Sequence, residues 1–401
     1  MELLIKGARV IDWSRSCISD VYIKNGIIQE VRPNIQLKCN TIKAEGLVLL
    51  PSFVDMHCHF REPGFEYKED LLTGSLAAIK GGFTAVNLMA NTKPVCSSME
   101  TVNYVLNRAK EIGLVDIHQS LSITKDFNGK DTHHLDNIDE RVKIISDDGN
   151  GVESNEIMLK AMLKASEKNL IVMSHAEDRE ISKYDTRLSE NISTVRDIEL
   201  AGATNARLHM AHVSTKEALQ YVIEGKRKGF RITCEVAPHH IALDHRTEYK
   251  VNPPLRAEED VIFLIEGIKN GCVDVIATDH APHSSSDKEK GAPGISGLET
   301  AFPVCYTKLV REGHISLNKL SELMSRNPSK LMGLNKGEIK EGYDGDLVLV
   351  DIEKMCEIDS THFLSKGKNT PFDKTIVWGN VVATIKAGEV VYTREEINYD
   401  N

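Results

Sequence analysis

The chain contains no CxxC cysteine pair, no long apolar run and no cluster of Lys and Arg residues that forms a basic stripe. Its eight cysteines are scattered singly through 401 residues, which argues against a disulfide scaffold and against a zinc knuckle. No apolar stretch reaches the roughly 18 residues of a membrane span, and charged residues interrupt the N-terminal "MELLIKGARVIDWS". We therefore predict reduced thiols in a cytoplasmic protein, with neither a signal peptide nor a membrane anchor.

The balance of charge narrows the class of partner. Asp and Glu number 59 against 49 Lys and Arg, a formal net charge of -10. Proteins that bind nucleic acids usually carry a basic stripe or patch, and none is visible here. We predict no nucleic-acid partner and no membrane partner, which leaves a small-molecule substrate.

The two ends of the chain share one pattern. Short apolar segments broken by turns occur in "LLIKGARVID" and "DVYIKNGIIQEV" near the start, and in "DLVLVDI" and "KTIVWGNVVATIKAGEVVY" near the end. Asn25-Gly26 is a typical hairpin turn. We predict one small β-sandwich domain built discontinuously from residues 1–52 and 341–401.

The middle of the chain, residues 53–340, has a different rhythm. Eight apolar segments of strand length alternate with helix-like stretches such as "SMETVNYVLNRAKEIG" and "TKEALQYVIEGKRKG". Eight strands that alternate with helices indicate an α/β protein with a (β/α)₈ TIM barrel. The predicted strands are "FVDMHCHF", "GFTAVNLM", "DIHQSLSIT", "VKIISDD", "LIVMSHAE", "RLHMAHVS", "RITCEVAPHH" and "VDVIATDH".

Most of these strands become polar at their C-terminal ends, which in a barrel lie together on the catalytic face. Side chains alternate faces along a strand, so His57 and His59 share a face and can bind one ion together. Imidazole and carboxylate ligands suit Zn²⁺ and tolerate Mn²⁺ or Co²⁺. We predict a site for two zinc ions, or for one, with a carboxylate shared between them. The candidate ligands are His57, His59, Asp148, His175, His212 and Asp279.

The shared carboxylate has two candidates in the adjacent pair Asp147 and Asp148. Related metal hydrolases often use a carboxylated lysine here, but Lys143 lies an odd number of residues from Asp148 and faces the other way. We predict that Asp148 is the bridge and that Asp147 points away, although parity alone leaves the choice between neighbours open. A metal-bound hydroxide is the expected nucleophile, and Asp279 is the expected general acid/base.

At these residues the chain resembles the amidohydrolase superfamily and, within it, the type I bacterial dihydroorotases. The resemblance is carried by "VDMHCHFREPG", "KGGFTAVNLMANTKPV", "SDDGNGV", "VNPPLR", "ATDHAPH", "GLETAFP" and "FLSKGKNTPF", and it extends over essentially the whole chain. It implies reversible cyclisation of N-carbamoyl-L-aspartate to L-dihydroorotate in de novo pyrimidine (UMP) biosynthesis, and a possible homodimer. In that family the residues matching the six candidates hold zinc, with Asp279 as acid/base.

The resemblance also implies residues that contact the substrate. Arg61 lies two residues after His59 on the same face, where a guanidinium can pair with a substrate carboxylate. The implied substrate contacts are His59, Arg61, Asn91, Asn252, His283, Pro293 and Gly294. The loop "GAPGISG" is shorter than the family pattern, and "MANT" replaces the usual "MPNT".

Two alternatives remain open from the sequence. A hydantoinase or allantoinase would share the barrel and most ligands, although the missing bridging lysine and the presence of Arg61 argue against it. A catalytically inactive relative that only binds partners would share the fold, but such proteins have typically lost metal ligands that this chain retains.

Overall fold

The strands fall into a sheet formed by the chain ends and a barrel formed by its middle, in a computed structural model that describes residues 1–394 and 399–400. Within those residues the strands are β1 (Glu2–Ile11), β2 (Ser16–Lys24), β3 (Ile27–Arg32), β4 (Asn40–Lys43), β5 (Val48–Pro51), β6 (Phe53–Cys58), β7 (Phe83–Leu88), β8 (Asp116–Gln119), β9 (Ile144–Ile145), β10 (Ile171–Ser174), β11 (Arg207–Met210), β12 (Ile232–Val236), β13 (Val275–Ile276), β14 (Leu347–Glu357), β15 (Ile376–Lys386), β16 (Glu389–Thr393) and β17 (Tyr399–Asp400).

Helices follow most of the barrel strands. They are α1 (Leu71–Lys80), α2 (Met99–Ile112), α3 (Asn155–Glu167), α4 (Arg179–Ser182), α5 (Thr186–Thr204), α6 (Lys216–Arg227), α7 (Pro238–Ala242), α8 (Glu258–Lys269), α9 (Ser285–Glu289), α10 (Ala301–Cys305), α11 (Leu317–Ser321) and α12 (Asn327–Met332). Two π-helical segments, Tyr306–Arg311 and Glu322–Arg326, continue α10 and α11. Short 3₁₀ turns lie at Lys125–Phe127, His133–Asn137, His245–Thr247 and Ser360–His362.

The eight strands β6 to β13 form a closed parallel barrel. β6, β7 and β8 pair in one sheet, and β9 to β13 pair in order in another. Parallel bridges Leu121–Ile145 and Cys58–His280 join the two sheets at both seams. The predicted (β/α)₈ barrel is therefore confirmed, with strands shorter than the apolar segments suggested. β12, for example, ends at Val236 because Pro238 begins α7, a position where proline is favoured.

Local sequence explains where the barrel helices begin and end. The side chain of Ser98 accepts a hydrogen bond from the Thr101 amide and caps α2, which ends at Gly113 in the left-handed conformation with φ 69°. Such residues satisfy backbone groups that a helix terminus leaves unpaired. Val102, Val105 and Ala109 of α2 are buried, a spacing that places one apolar stripe against the barrel.

The chain ends form one nine-stranded sheet that branches at β1, which pairs with β2, β4 and β5. β5 also pairs with β14, so the two termini are hydrogen-bonded to each other. Apolar side chains from both ends share one fully buried core; Ile5, Ile23, Leu49, Leu347 and Ile385 belong to it.

A buried ion pair connects this sheet to the barrel. The Lys336 ammonium lies 2.6 Å from a carboxylate oxygen of Asp116 on β8, and it also contacts Asp346 immediately before β14. Only 4% of the Lys336 side chain and 3% of the Asp346 side chain are exposed. No helix within residues 1–394 and 399–400 is long and apolar enough to cross a membrane.

Candidate active site

The six predicted metal ligands lie together at the C-terminal ends of the barrel strands. His57 is in β6, and the others follow the ends of β6, β9, β10, β11 and β13 directly or within a few residues. Each is at most 7% exposed. Barrel closure thus brings together side chains up to 222 positions apart in the sequence, an arrangement expected of the catalytic face of this fold.

The carboxylate of Asp148 lies at the centre of the cluster. Its Oδ1 atom is 3.3 Å from His57 Nε2, 3.3 Å from His175 Nδ1 and 3.6 Å from His212 Nε2. Its Oδ2 atom is 3.5 Å from His59 Nε2. One carboxylate therefore faces all four imidazoles, as a ligand shared by two ions must.

Asp279 closes the other side of the cluster. Its Oδ1 atom is 3.3 Å from His59 Nε2 and 3.6 Å from His57 Nε2. Donor atoms of two overlapping groups, His57–His59–Asp279 and His57–Asp148–His212, lie within 4.8 Å of one another. Zn²⁺ with ligand bonds of about 2.0–2.1 Å in tetrahedral geometry separates neighbouring donors by about 3.3–3.4 Å. The spacing in this cluster is close to that value.

Buried polar atoms without hydrogen-bond partners also indicate that the cluster suits a metal ion. His57 Nε2 and Asp148 Oδ1 are buried and have no hydrogen-bond partner among the described residues. Buried nitrogen and oxygen atoms are almost always paired in folded proteins. A metal ion satisfies such lone pairs, so these residues fit a metal centre.

Asp147 lies outside the cluster, although it is the immediate neighbour of Asp148. Its carboxylate accepts hydrogen bonds from the Ile123 amide at 2.7 Å and the Thr124 amide at 3.0 Å, and from the Thr124 hydroxyl. Lys143 is exposed at the opposite end of β9. The two adjacent aspartates thus point to different surroundings, with Asp148 in the cluster and Asp147 against residues 123–124, and Lys143 lies outside the cluster.

Three candidate residues have left-handed backbone conformations that are rare for side chains with a Cβ atom. The φ angles are 63° at Arg61, 30° at His212 and 46° at Asp279. Such conformations cost free energy and persist where the surrounding structure enforces them, often at functional sites. All three belong to the residues predicted to bind metal or substrate.

Burial and mutual contact set the protonation of the cluster. Burial by itself raises the pKa of Asp148 and of Asp279, but neighbouring histidines lower both pKa values below the ordinary range. Burial lowers the pKa of His59. The carboxylates are therefore ionised, which is the state in which a carboxylate can bind a metal ion.

Glu235 is a buried partner of the cluster that the sequence reasoning missed. Its carboxylate is 2.6 Å from His57 Nδ1 and 3.1 Å from His209 Nε2. A carboxylate on the second ring nitrogen fixes the orientation and tautomer of a metal-binding histidine. An acidic residue inside a buried strand was the available signal, because such residues are rarely buried without a partner.

The predicted substrate contacts surround the same opening. The Arg61 guanidinium donates to the Pro282 carbonyl at 3.3 Å and lies 3.4 Å from His283 Nε2. Asn91 Oδ1 is 2.8 Å from His59 Nδ1, and the Asn252 amide donates to Glu177 at 3.1 Å. The Arg61 charge also helps to lower the pKa of His59, so a cation lies near the cluster of candidate ligands.

A cleft of about 510 Å³ leads towards this opening, and Glu177, Asn252 and Pro293 are among the residues that line it. Burial and the nearby Arg61 and Lys68 cations lower the pKa of His283 to about 3, so its ring is neutral at pH 7. Gly294 follows Pro293 at the same rim and has a φ of 140°. The cleft is therefore bordered by two of the residues predicted to bind substrate, Asn252 and Pro293.

Comparison with known proteins defines the class. The amidohydrolase family model matches residues 48–391. The solved structures of a dihydropyrimidinase from Brevibacillus agri and an L-hydantoinase from Arthrobacter aurescens superpose with TM-scores of 0.90 and 0.91. Both are 24% identical in sequence; they cover 100% and 99% of this chain, which covers 96% and 97% of theirs. At that identity they show the shared fold alone.

Relatives of higher identity narrow the class. A dihydroorotase from Clostridium botulinum (strain Eklund 17B / Type B) is 53% identical over 398 residues, 98% of this chain and 100% of the relative. A dihydroorotase from Acetivibrio thermocellus is 38% identical over 425 residues, again 98% of this chain and 100% of the relative. The chain belongs to the amidohydrolase family, in its dihydroorotase branch.

Proposed function

We propose that this enzyme catalyses the reversible cyclisation of N-carbamoyl-L-aspartate to L-dihydroorotate with loss of water, in pyrimidine biosynthesis. The observation that carries the proposal is the full-length similarity to dihydroorotases, 53% for the Clostridium botulinum protein. Arg61 supports the proposal, because an open substrate with two carboxylates needs a cation at the site, and its guanidinium is 3.4 Å from His283 Nε2.

We infer that the cluster binds Zn²⁺, with two ions per subunit or one. His57, His59, Asp148 and Asp279 would hold one ion, and Asp148, His175 and His212 the other; imidazole and carboxylate donors favour zinc. Bound zinc supplies Lewis acidity, which activates water at neutral pH and polarises a carbonyl. Glu235 orients His57 for this role by its contact with Nδ1.

Asp279 moves the proton in this proposal. Its ionised Oδ1 faces the cluster, so in ring opening it takes a proton from the attacking water and delivers it to the leaving amide nitrogen. In cyclisation the same carboxylate takes the proton from the carbamoyl nitrogen and returns it to the departing oxygen. One buried carboxylate at the cluster therefore serves both directions.

The remaining residues bind and orient the substrate. The Arg61 guanidinium pairs with the carboxylate of the substrate ring. The side chains of Asn91 and Asn252 and the neutral imidazole of His283 form hydrogen bonds to the substrate. The backbone of Pro293 and Gly294 contacts the substrate at the rim of the site. His59 contributes both to the metal cluster and, through Nδ1, to the position of Asn91.

The test is to purify the protein, measure its bound metal, and assay dihydroorotate, hydantoin and allantoin side by side. We expect stoichiometric zinc and preference for dihydroorotate. A preference for hydantoin would contradict the proposal in favour of a hydantoinase, and a metal-free protein inert on all three compounds would favour the inactive alternative. The exposed Lys143 argues against a lysine-bridged cyclic amidase. The cytoplasmic location and the homodimer stay predictions.

A further inference from the structure

Lys288 in α9 has no role in the proposed chemistry, yet its ammonium contacts two loops at the rim of the site. It donates to the carbonyl oxygens of Lys250 at 3.2 Å, Ala292 at 3.0 Å and Gly294 at 3.0 Å. An ammonium has three N–H donors, so these carbonyls can use all of them. The side chain is partly buried and lies over the Tyr249 ring, 4.4 Å from its centroid.

The three carbonyls lie next to residues proposed to bind the substrate. Lys250 precedes Asn252 by two residues, and Ala292 and Gly294 flank Pro293. The Lys250 carbonyl also accepts a hydrogen bond from the Gly294 amide at 3.1 Å. The ammonium therefore holds two loops, separated by about 40 residues of sequence, in one fixed relation.

The loop of Pro293 and Gly294 is closely packed against neighbouring backbone. At Gly294 a Cβ atom would lie 2.5 Å from the Ala281 carbonyl oxygen, so the backbone is pressed against the segment that follows β13. The Asn369 amide donates to the Gly294 carbonyl at 3.0 Å, and its oxygen accepts from the His283 amide at 2.9 Å. Lys288 and Asn369 thus both donate hydrogen bonds to the Gly294 carbonyl.

We propose that Lys288 is a positioning residue for substrate binding, which holds the loop of Asn252 and the loop of Pro293 and Gly294 at the distance that the substrate ring requires. The role rests on the proposed function, because those loops are placed against the substrate only there. Lys288 does not touch the metal cluster, so its loss affects binding more than the chemical step. Weaker binding that is equal in ground state and transition state raises KM and leaves kcat nearly unchanged.

The experiment compares Lys288→Met, which keeps the apolar stem and removes all three donors, with Lys288→Arg, which keeps the charge and several donors. Lys290→Met, at an exposed position two residues away, is the matched control. We expect Lys288→Met to raise the KM for dihydroorotate about tenfold or more with kcat within about threefold of wild type. Lys288→Arg recovers part of the loss, and metal content and the control stay at wild-type values.

Hydrogen exchange followed by mass spectrometry provides a readout that needs no substrate. In Lys288→Met, peptides covering residues 248–254 and 290–297 exchange faster, while the barrel strands do not change. If Lys288→Met does not fold, Lys288→Gln is measured in its place.

The outcomes separate this inference from the proposed function. A metal-loaded wild type without dihydroorotase activity refutes the function, and exchange then decides whether Lys288 holds the loops. With an active wild type, an unchanged KM, a fall in kcat alone, or unchanged exchange in both segments overturns the proposed role of Lys288.

Discussion

The adjacent aspartates Asp147 and Asp148 allow the proposed metal centre to be tested by a pair of matched substitutions. Both carboxylates are buried, and they lie one residue apart. Asp148 faces four imidazoles at 3.3–3.6 Å, whereas the Asp147 carboxylate accepts hydrogen bonds from the backbone and hydroxyl at residues 123–124. Asn has the same shape as Asp, so each substitution removes a charge without opening a cavity.

Asp148→Asn removes the anion that both proposed ions share. Changes to partners outside the direct ligands already weaken metal binding about 10–100-fold, so we expect the loss here to exceed about 100-fold. Asp147→Asn leaves every donor atom of the cluster in place. For this variant we expect zinc affinity within about threefold of wild type, well below that 10–100-fold range.

The stability of Asp147→Asn is set by two opposing effects. Hydrogen bonds to a charged acceptor contribute about 1.5–3 kcal/mol each and neutral ones about 0.5–1.5 kcal/mol, so the weaker bonds of Asn destabilise the fold. Burial, however, raises the pKa of Asp147 to about 6, which means that the charged form is disfavoured in the folded state relative to the unfolded chain. We expect the free energy of unfolding at pH 7 to change by less than about 2 kcal/mol.

The measurement is metal content after competition with a chelator of known affinity, together with urea unfolding of the metal-free proteins. Wild-type metal content in Asp148→Asn, or loss of metal from a folded Asp147→Asn, would refute the assignment of the shared ligand. Equal losses in both folded variants would show that the cluster, rather than one carboxylate, is sensitive to charge.

Three further predictions use other parts of the structure. Asp279→Ala should keep the wild-type circular dichroism spectrum and lose turnover by at least about 10²–10⁴-fold, the usual contribution of a general acid/base; near-normal activity contradicts its role. Arg61→Met should raise the KM for dihydroorotate about 10–150-fold, the equivalent of one charged hydrogen bond, with partial recovery in Arg61→Lys; an unchanged KM places the carboxylate elsewhere. Lys336→Met should lower the free energy of unfolding by about 3–5 kcal/mol because Asp346 stays buried without its partner. Lys386→Met removes a more exposed contact to Asp116 and should lower it by less than about 1 kcal/mol. Equal effects of the two substitutions in urea unfolding would contradict this difference.

Much of the fold follows from local pattern. Apolar segments alternating with capped helices predicted the barrel, and the structure confirms it with eight parallel strands. Strand ends were less predictable: "RITCEVAPHH" reads as one apolar segment, but only Ile232–Val236 pairs as a strand. Strand length depends on which backbone groups find a partner across the barrel, and that is a property of closure rather than of the segment itself.

The cluster of candidate ligands could also be predicted from the pattern of strands along the sequence. Parallel barrels bring all strand C-termini to one face, a rule that needs only the order of residues along each strand. Strand parity left the choice between Asp147 and Asp148 open, and the resemblance to dihydroorotases favoured Asp148. The six proposed ligands could therefore be chosen from sequence, and the structure places all six together.

Residue order and strand periodicity by themselves determined the barrel and the face where its strand ends meet, and together with the family motifs they gave the candidate ligands. Only the tertiary structure decided which other side chains hold the candidate ligands and the rim loops in position. Glu235 reaches His57 across 178 residues, and Lys288 reaches carbonyls of two separate loops. Such contacts depend on strand register around the closed barrel and on loop packing at its rim. A side chain's own sequence neighbours carry no information about either, because the atoms that it meets are brought there by the fold.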